Sequence, residues 1–138
     1  MHYRSIHIGL LILRIGLGVL FLIHGVPKLL GGIEKWTGLG KVMSNFGINF
    51  TPAFWGFMAA FSESFGAIAL ITGLFFRPAA FMMATTMFVA ASMHYVNGDA
   101  YVPSISYPIE LLVVFIALLV AGPGNFTIAE IFNPDGQD

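Results

Sequence analysis

Six ionisable side chains interrupt otherwise apolar stretches of this 138-residue chain: Arg14, His24, Lys28, Glu63, His94 and Glu110. A charge held in hydrocarbon costs at least about 2.5–3.5 kcal/mol, so such residues turn inward, find partners and mark places where ions or protons are handled. The cations stand early in the chain and the carboxylates later, a distribution suited to neutralisation between helices. Counting about 1.5 Å of rise per residue from the edges of the apolar windows puts Arg14 roughly 12 Å in from one side. The same count puts Glu63 roughly 15 Å in from the other, near the midplane. An Arg14–Glu63 pair is therefore expected, with the carboxylate accepting the guanidinium fork. His24 and Lys28, four residues apart, share one helix face. With His94 and Glu110 they are expected to form a second polar layer about two turns away.

In this reading His24, Glu63 and Glu110 are the candidate proton-exchanging, catalytic groups, and Arg14, Lys28 and His94 the candidate substrate-binding groups. Each has a plainer explanation. Arg14–Glu63 can serve only to fix helix register, His24 and Lys28 can snorkel toward headgroups, and His94 can be a hydrogen-bonded end residue. Two histidines and a carboxylate drawn from three helices without ligand spacing do not make a metal site, and none is expected. Ser62 and Ser64 can bond back to their own helix and need no role in a site.

These residues are carried by a composition that excludes several functions. Apolar residues make up 57% of the chain and charged ones 9%, with six basic and seven acidic side chains giving a net charge of −1. The mean hydropathy is +0.85. Soluble domains average roughly 25% charged residues, so a soluble enzyme and intrinsic disorder are both ruled out. No basic patch exists for nucleic acid. The chain has no cysteine, which excludes thiol redox chemistry, thiolate metal sites and haem attachment through CxxC.

Crossing a hydrocarbon core of about 30 Å takes about 20 apolar residues in a helix. Four windows fit: residues 6–30, 53–76, 79–96 and 105–121. The first is too long for a cleaved leader, contains Arg14 and lacks a small-x-small cleavage site, so it reads as a retained span. Phe76-Arg77-Pro78 is expected as the tight turn between spans two and three. Asn97-Gly98-Asp99, Pro103 and Pro108 mark the loop from three to four. A polar tail from 122 to 138 begins at Gly122-Pro123-Gly124-Asn125 and closes with Asn133-Pro134-Asp135-Gly136. Within the long connection 31–52, Ile33, Trp36, Leu39, Met43 and Phe46 recur at helical spacing, with Glu34, Lys41 and Asn45 on another face. That pattern predicts a short interfacial helix with Trp36 at headgroup depth. The fold class is thus an all-α membrane protein, a four-transmembrane-helix bundle forming one domain over 1–138. Both termini lie on one side, and the lysine and arginine balance leaves the orientation open.

The first span reads Leu13-Arg14-Ile15-Gly16-Leu17-Gly18-Val19-Leu20-Phe21-Leu22-Ile23-His24-Gly25-Val26-Pro27-Lys28. The second holds Glu63, Gly66 and a Thr72-Gly73-Leu74-Phe75-Phe76-Arg77 exit, and the fourth ends Gly122-Pro123-Gly124-Asn125-Phe126-Thr127-Ile128. Together these resemble the DoxX family of small four-helix bacterial membrane proteins over about residues 8–130. Ser64, Phe65, Thr127 and Glu130 depart from the usual pattern, the last two weakening any role for the tail. The resemblance implies a multi-pass protein of the bacterial inner membrane. It further implies an oxidoreductase, or a subunit of a redox complex, acting near the quinone pool or in oxidative and electrophile stress.

On that reading a quinone headgroup is hydrogen-bonded by His24 or His94, Glu110 exchanges protons and Lys28 favours the reduced anion. No flavin, haem or dinucleotide fingerprint is present, so the cofactor is unknown beyond a quinone, and electrons come from a soluble or membrane redox partner or from the quinone pair. The alternatives are a non-catalytic scaffold and a small-solute or proton-coupled carrier, the latter requiring a homo-oligomer. The lipid bilayer is the one partner that composition itself demands.

Overall fold

A computed structural model describes residues 2–132; the expected Asn133–Gly136 turn lies outside the described residues. Among the described residues six α-helices follow one another: α1 (His2–Leu29), α2 (Gly32–Gly40), α3 (Pro52–Thr72), α4 (Phe76–Val96), α5 (Ser106–Ala121) and α6 (Ile128–Phe132). A 3-10 segment, Lys41–Phe46, continues α2, and a kinked segment, Tyr101–Ile105, with Val102 extended, leads into α5. Four stretches are long and apolar enough to cross a membrane: Tyr3–Leu29, Pro52–Thr72, Phe76–Val96 and Tyr101–Ala121.

The four long helices form an antiparallel bundle in which α3 packs on α1, α4 on α3, and α5 on α4. Phe21 of α1 meets Phe115 of α5 edge to face, ring centroids 5.2 Å apart. With Leu70, Phe76, Met83 and Leu118 these rings fill the centre. Lipid supplies no hydrophobic drive between helices, so small residues that admit close backbone contact matter most. Ala60, Ala67 and Ala80 are fully buried, and a Cβ at Gly25 would stand 2.8 Å from the Glu63 backbone. Ile12, Ile23, Phe81, Val113 and Val120 face outward, as a lipid-facing rim requires.

The turn between spans two and three lies at 73–75, not at 76–78. Gly73 (φ +77°) caps α3 and donates to Ala69 O at 2.9 Å. A left-handed cap is where glycine ends a helix at least cost. Phe76, Arg77 and Pro78 instead form the first turn of α4, where proline's missing N–H is not needed. Likewise Pro108 belongs to α5 rather than to the preceding loop.

The connection between spans one and two contains the expected helix, folded against α3. Trp36, Leu39 and Met43 are partly buried, whereas Ile33 and Phe46 are exposed. The α-helical winding stops at Gly40, and the tighter 3-10 segment keeps Val42 and Met43 inward but turns Ser44, Asn45 and Phe46 outward. Gly40 lies against the Pro52 carbonyl and Gly56 against the Trp36 carbonyl, so backbone meets backbone along this seam.

Candidate functional site

Arg14 and Glu63 do not pair. Gly25 of α1 stands opposite Glu63 and Ser64, Gly18 opposite Ala67 and Ile71, and Arg14 opposite Leu70 and Ile71. In that register Arg14 is about 16 Å of helix axis from the level of Glu63. Depths counted from the window edges miss this because α1 begins before its apolar window and α3 ends four residues short of its own.

Each ion has another partner. The Arg14 side chain is fully buried and spends its donors on backbone carbonyls. Nε donates to Leu70 O at 3.0 Å, and the terminal nitrogens donate to Ile71 O (3.2 Å), Phe126 O (2.8 Å) and Pro123 O. Leu70 and Ile71 end α3, where carbonyls lack helical donors and the helix dipole is negative. Pro123 and Phe126 lie in the turn after α5. One guanidinium therefore ties α1 to the end of α3 and to the chain leaving α5. Thr127 is buried here, and a Cβ at Gly73 would meet its Cγ2 at 2.6 Å, so the departure from the family pattern at 127 lies within this knot.

Glu63 binds Lys28 through both oxygens, with Nζ at 2.9 Å from Oε1 and 2.7 Å from Oε2. The carboxylate is almost completely buried, while the Lys28 side chain keeps about 31% of its surface. Trp36 Nε1 donates to the Lys28 carbonyl at 3.1 Å, fixing the end of α1 beneath α2.

This ion pair stands in the wall of a cavity of about 590 Å³ bounded by the end of α1, the α2/3-10 roof, α3 and α4. Met43, Trp55, Met58, Met82 and Val89 supply much of its apolar lining. Ser62 and Thr86 add hydroxyls. Thr86 Oγ1 lies 3.1 Å from Ser62 Oγ and 3.0 Å from Met82 O of its own helix. The Ser62 side chain thus reaches across to α4 instead of only back along α3, while Ser64 Oγ is buried without a protein partner.

The expected second layer is only partly assembled. Lys28 and His94 both line the cavity. His94 Nδ1 lies 2.6 Å from Asp99 Oδ2, a partner that the spacing of the apolar spans did not reveal. His24 faces outward, its Nδ1 2.8 Å from the Leu20 carbonyl of its own helix. Glu110 is exposed on the first turns of α5, and neither it nor His24 lines the cavity. The shared layer fails because α5 packs on α4, away from the α1–α3 seam that holds Lys28. Thr86 and Trp55 were also missed: a lone threonine and an end-of-span tryptophan carry no chemical signal until helices set them around one space.

A family model described as DoxX matches residues 9–96, which include Arg14, Lys28, Glu63, His94 and every residue lining the cavity. The chain is also similar to the inner membrane protein YphA of Escherichia coli (strain K12), 30% identical over 126 residues, covering 86% of each chain. No solved structure matches the chain. Four apolar spans together with this likeness fit a multi-pass protein of the bacterial inner membrane.

Proposed function

The chain belongs to the DoxX family, and from that premise we propose that it is the membrane component of a redox system, holding a quinone-type ring beside Lys28 and Glu63. The observation that carries this reading is the Lys28–Glu63 ion pair set into a mostly apolar cavity. Ligand sites have this composition: mostly apolar walls with a few convergent polar groups. An ammonium has three protons, and Glu63 takes two of those on Lys28, which leaves one to donate to a ring carbonyl. Glu63 retains lone pairs that can accept from a ring hydroxyl. His94, oriented by Asp99 and partly exposed, exchanges protons with water at the cavity's edge.

Reduction of a quinone to its quinol takes two electrons and two protons. In this proposal a redox partner protein supplies the electrons, and His94 relays protons from water. The test is purification in mild detergent, with organic extraction of bound quinone and identification of copurifying proteins. Wild-type protein should retain quinone, and Lys28→Met should lose most of it. Wild-type preparations with neither quinone nor a redox protein would sink the reading.

A further inference from the structure

We infer that the cavity takes its ligand sideways from the bilayer, between α3 and α4, and accepts a lipophile only when its polar head is uncharged. This rests on the preceding reading only in that the cavity is a ligand site; it does not require the ligand to be redox-active.

The route follows from exposure. Among the lining residues, Phe54 on α3 and Phe81 and Thr85 on α4 are exposed, and all three belong to membrane-spanning helices. The end facing away from the 73–75 turn is covered by Leu39, Gly40, Val42 and Met43. That roof is held by the backbone seam between α2 and α3 and by the Phe46–Phe88 ring contact at 6.1 Å. Apart from the edge at His94, the exposed lining faces hydrocarbon. Along α4 the lining runs from Phe81 to His94, about 20 Å of helix axis, which suits an elongated molecule rather than a compact water-soluble one.

The charge preference follows from the ion pair. Lys28 and Glu63 neutralise each other through two hydrogen bonds, so the wall presents donors and acceptors but no net charge. A charged head brought from the interface would lose its hydration and gain no counter-ion unless it broke that pair, which would strand a buried ion. His94 Nδ1 is already engaged by Asp99 Oδ2. A carbonyl, ether or hydroxyl on an apolar body meets every requirement of the lining.

Trp55 lines the cavity and Trp36, the only other tryptophan, does not, so quenching seen in the wild-type protein and lost in Trp55→Phe reports on the cavity. The probes are nitroxide amphiphiles with a common decyl chain and a neutral amide, a carboxylate or a quaternary ammonium head, titrated into detergent micelles. The neutral probe should quench with an affinity at least roughly tenfold above either charged one. A charged probe that binds as well as the neutral one overturns the charge preference.

Because the chain lacks cysteine, Thr85→Cys can be labelled uniquely with a bulky maleimide, with Val113→Cys on the exposed face of α5 as the control. The label at 85 should abolish quenching and the label at 113 should leave it intact. Undiminished quenching with 85 blocked overturns the lateral route. Competition by decylbenzoquinone decides the redox reading separately: if the neutral probe binds and the quinone does not displace it, that reading falls while the present inference stands.

Discussion

Lys28 and Glu63 form one ion pair, yet they should respond unequally to mutation. Glu63 is almost completely buried, whereas Lys28 keeps access to its surroundings. Lys28→Met strands a carboxylate and should lower stability by roughly 3–5 kcal/mol. Glu63→Gln should cost less, because the freed ammonium can snorkel. A Lys28→Met/Glu63→Leu double variant should recover much of the loss. Thermal unfolding in detergent checks the order; an equal loss in both single variants would show that burial does not set it. Arg14 poses a different question, since its partners are all carbonyls. Lysine cannot reproduce a planar fork directed at carbonyls on two separate segments. Arg14→Lys should therefore destabilise by about 1.5–3 kcal/mol for each charged hydrogen bond lost, while leaving probe binding in the distant cavity intact at temperatures where the variant is folded.

At the scale of elements, the seam between α2 and α3 decides whether the cavity has a roof. A methyl at Gly56 would overlap the Trp36 carbonyl, and no rotamer change can move backbone aside. Gly56→Ala should push α2 away, expose Trp36 and abolish probe binding. Gly38, also in α2, has nothing within 4 Å of a built Cβ. Gly38→Ala should leave binding unchanged and add about 0.5–1 kcal/mol of stability, the ordinary gain from replacing a helix-interior glycine. Limited proteolysis of the 41–51 connection distinguishes the two: Gly56→Ala should accelerate cleavage and Gly38→Ala should not. Hydropathy displays the periodicity that makes α2 a helix, but not the partner of its inner face. The purpose of Gly40 and Gly56 emerges only where two backbones touch.

For the whole molecule, four crossings place the 73–75 and 122–126 turns on one side and the 31–51 and 97–105 connections on the other. Leu74→Cys and Asn125→Cys should then react with a membrane-impermeant maleimide from one side of sealed vesicles, and Ser44→Cys and Asn97→Cys from the other. Reaction of Leu74→Cys and Asn97→Cys from the same side would break the four-span topology.

The amino-acid sequence determined the four spans, the membrane setting, the intervening helix and the presence of Arg14, Lys28 and Glu63 within the spans. Those follow from transfer free energies, which each residue carries wherever it stands. Pairing is different in kind, because it depends on how far one helix slides along another. That sliding is set by Gly18, Gly25 and Gly56 meeting particular backbones, and by where α3 stops at Gly73. The tertiary structure alone therefore decided that Glu63 binds Lys28 rather than Arg14, and that Arg14 binds the turn after α5. It also decided that His24 and Glu110 stand apart from the cavity while Ser62, Thr86, His94 and Trp55 surround it.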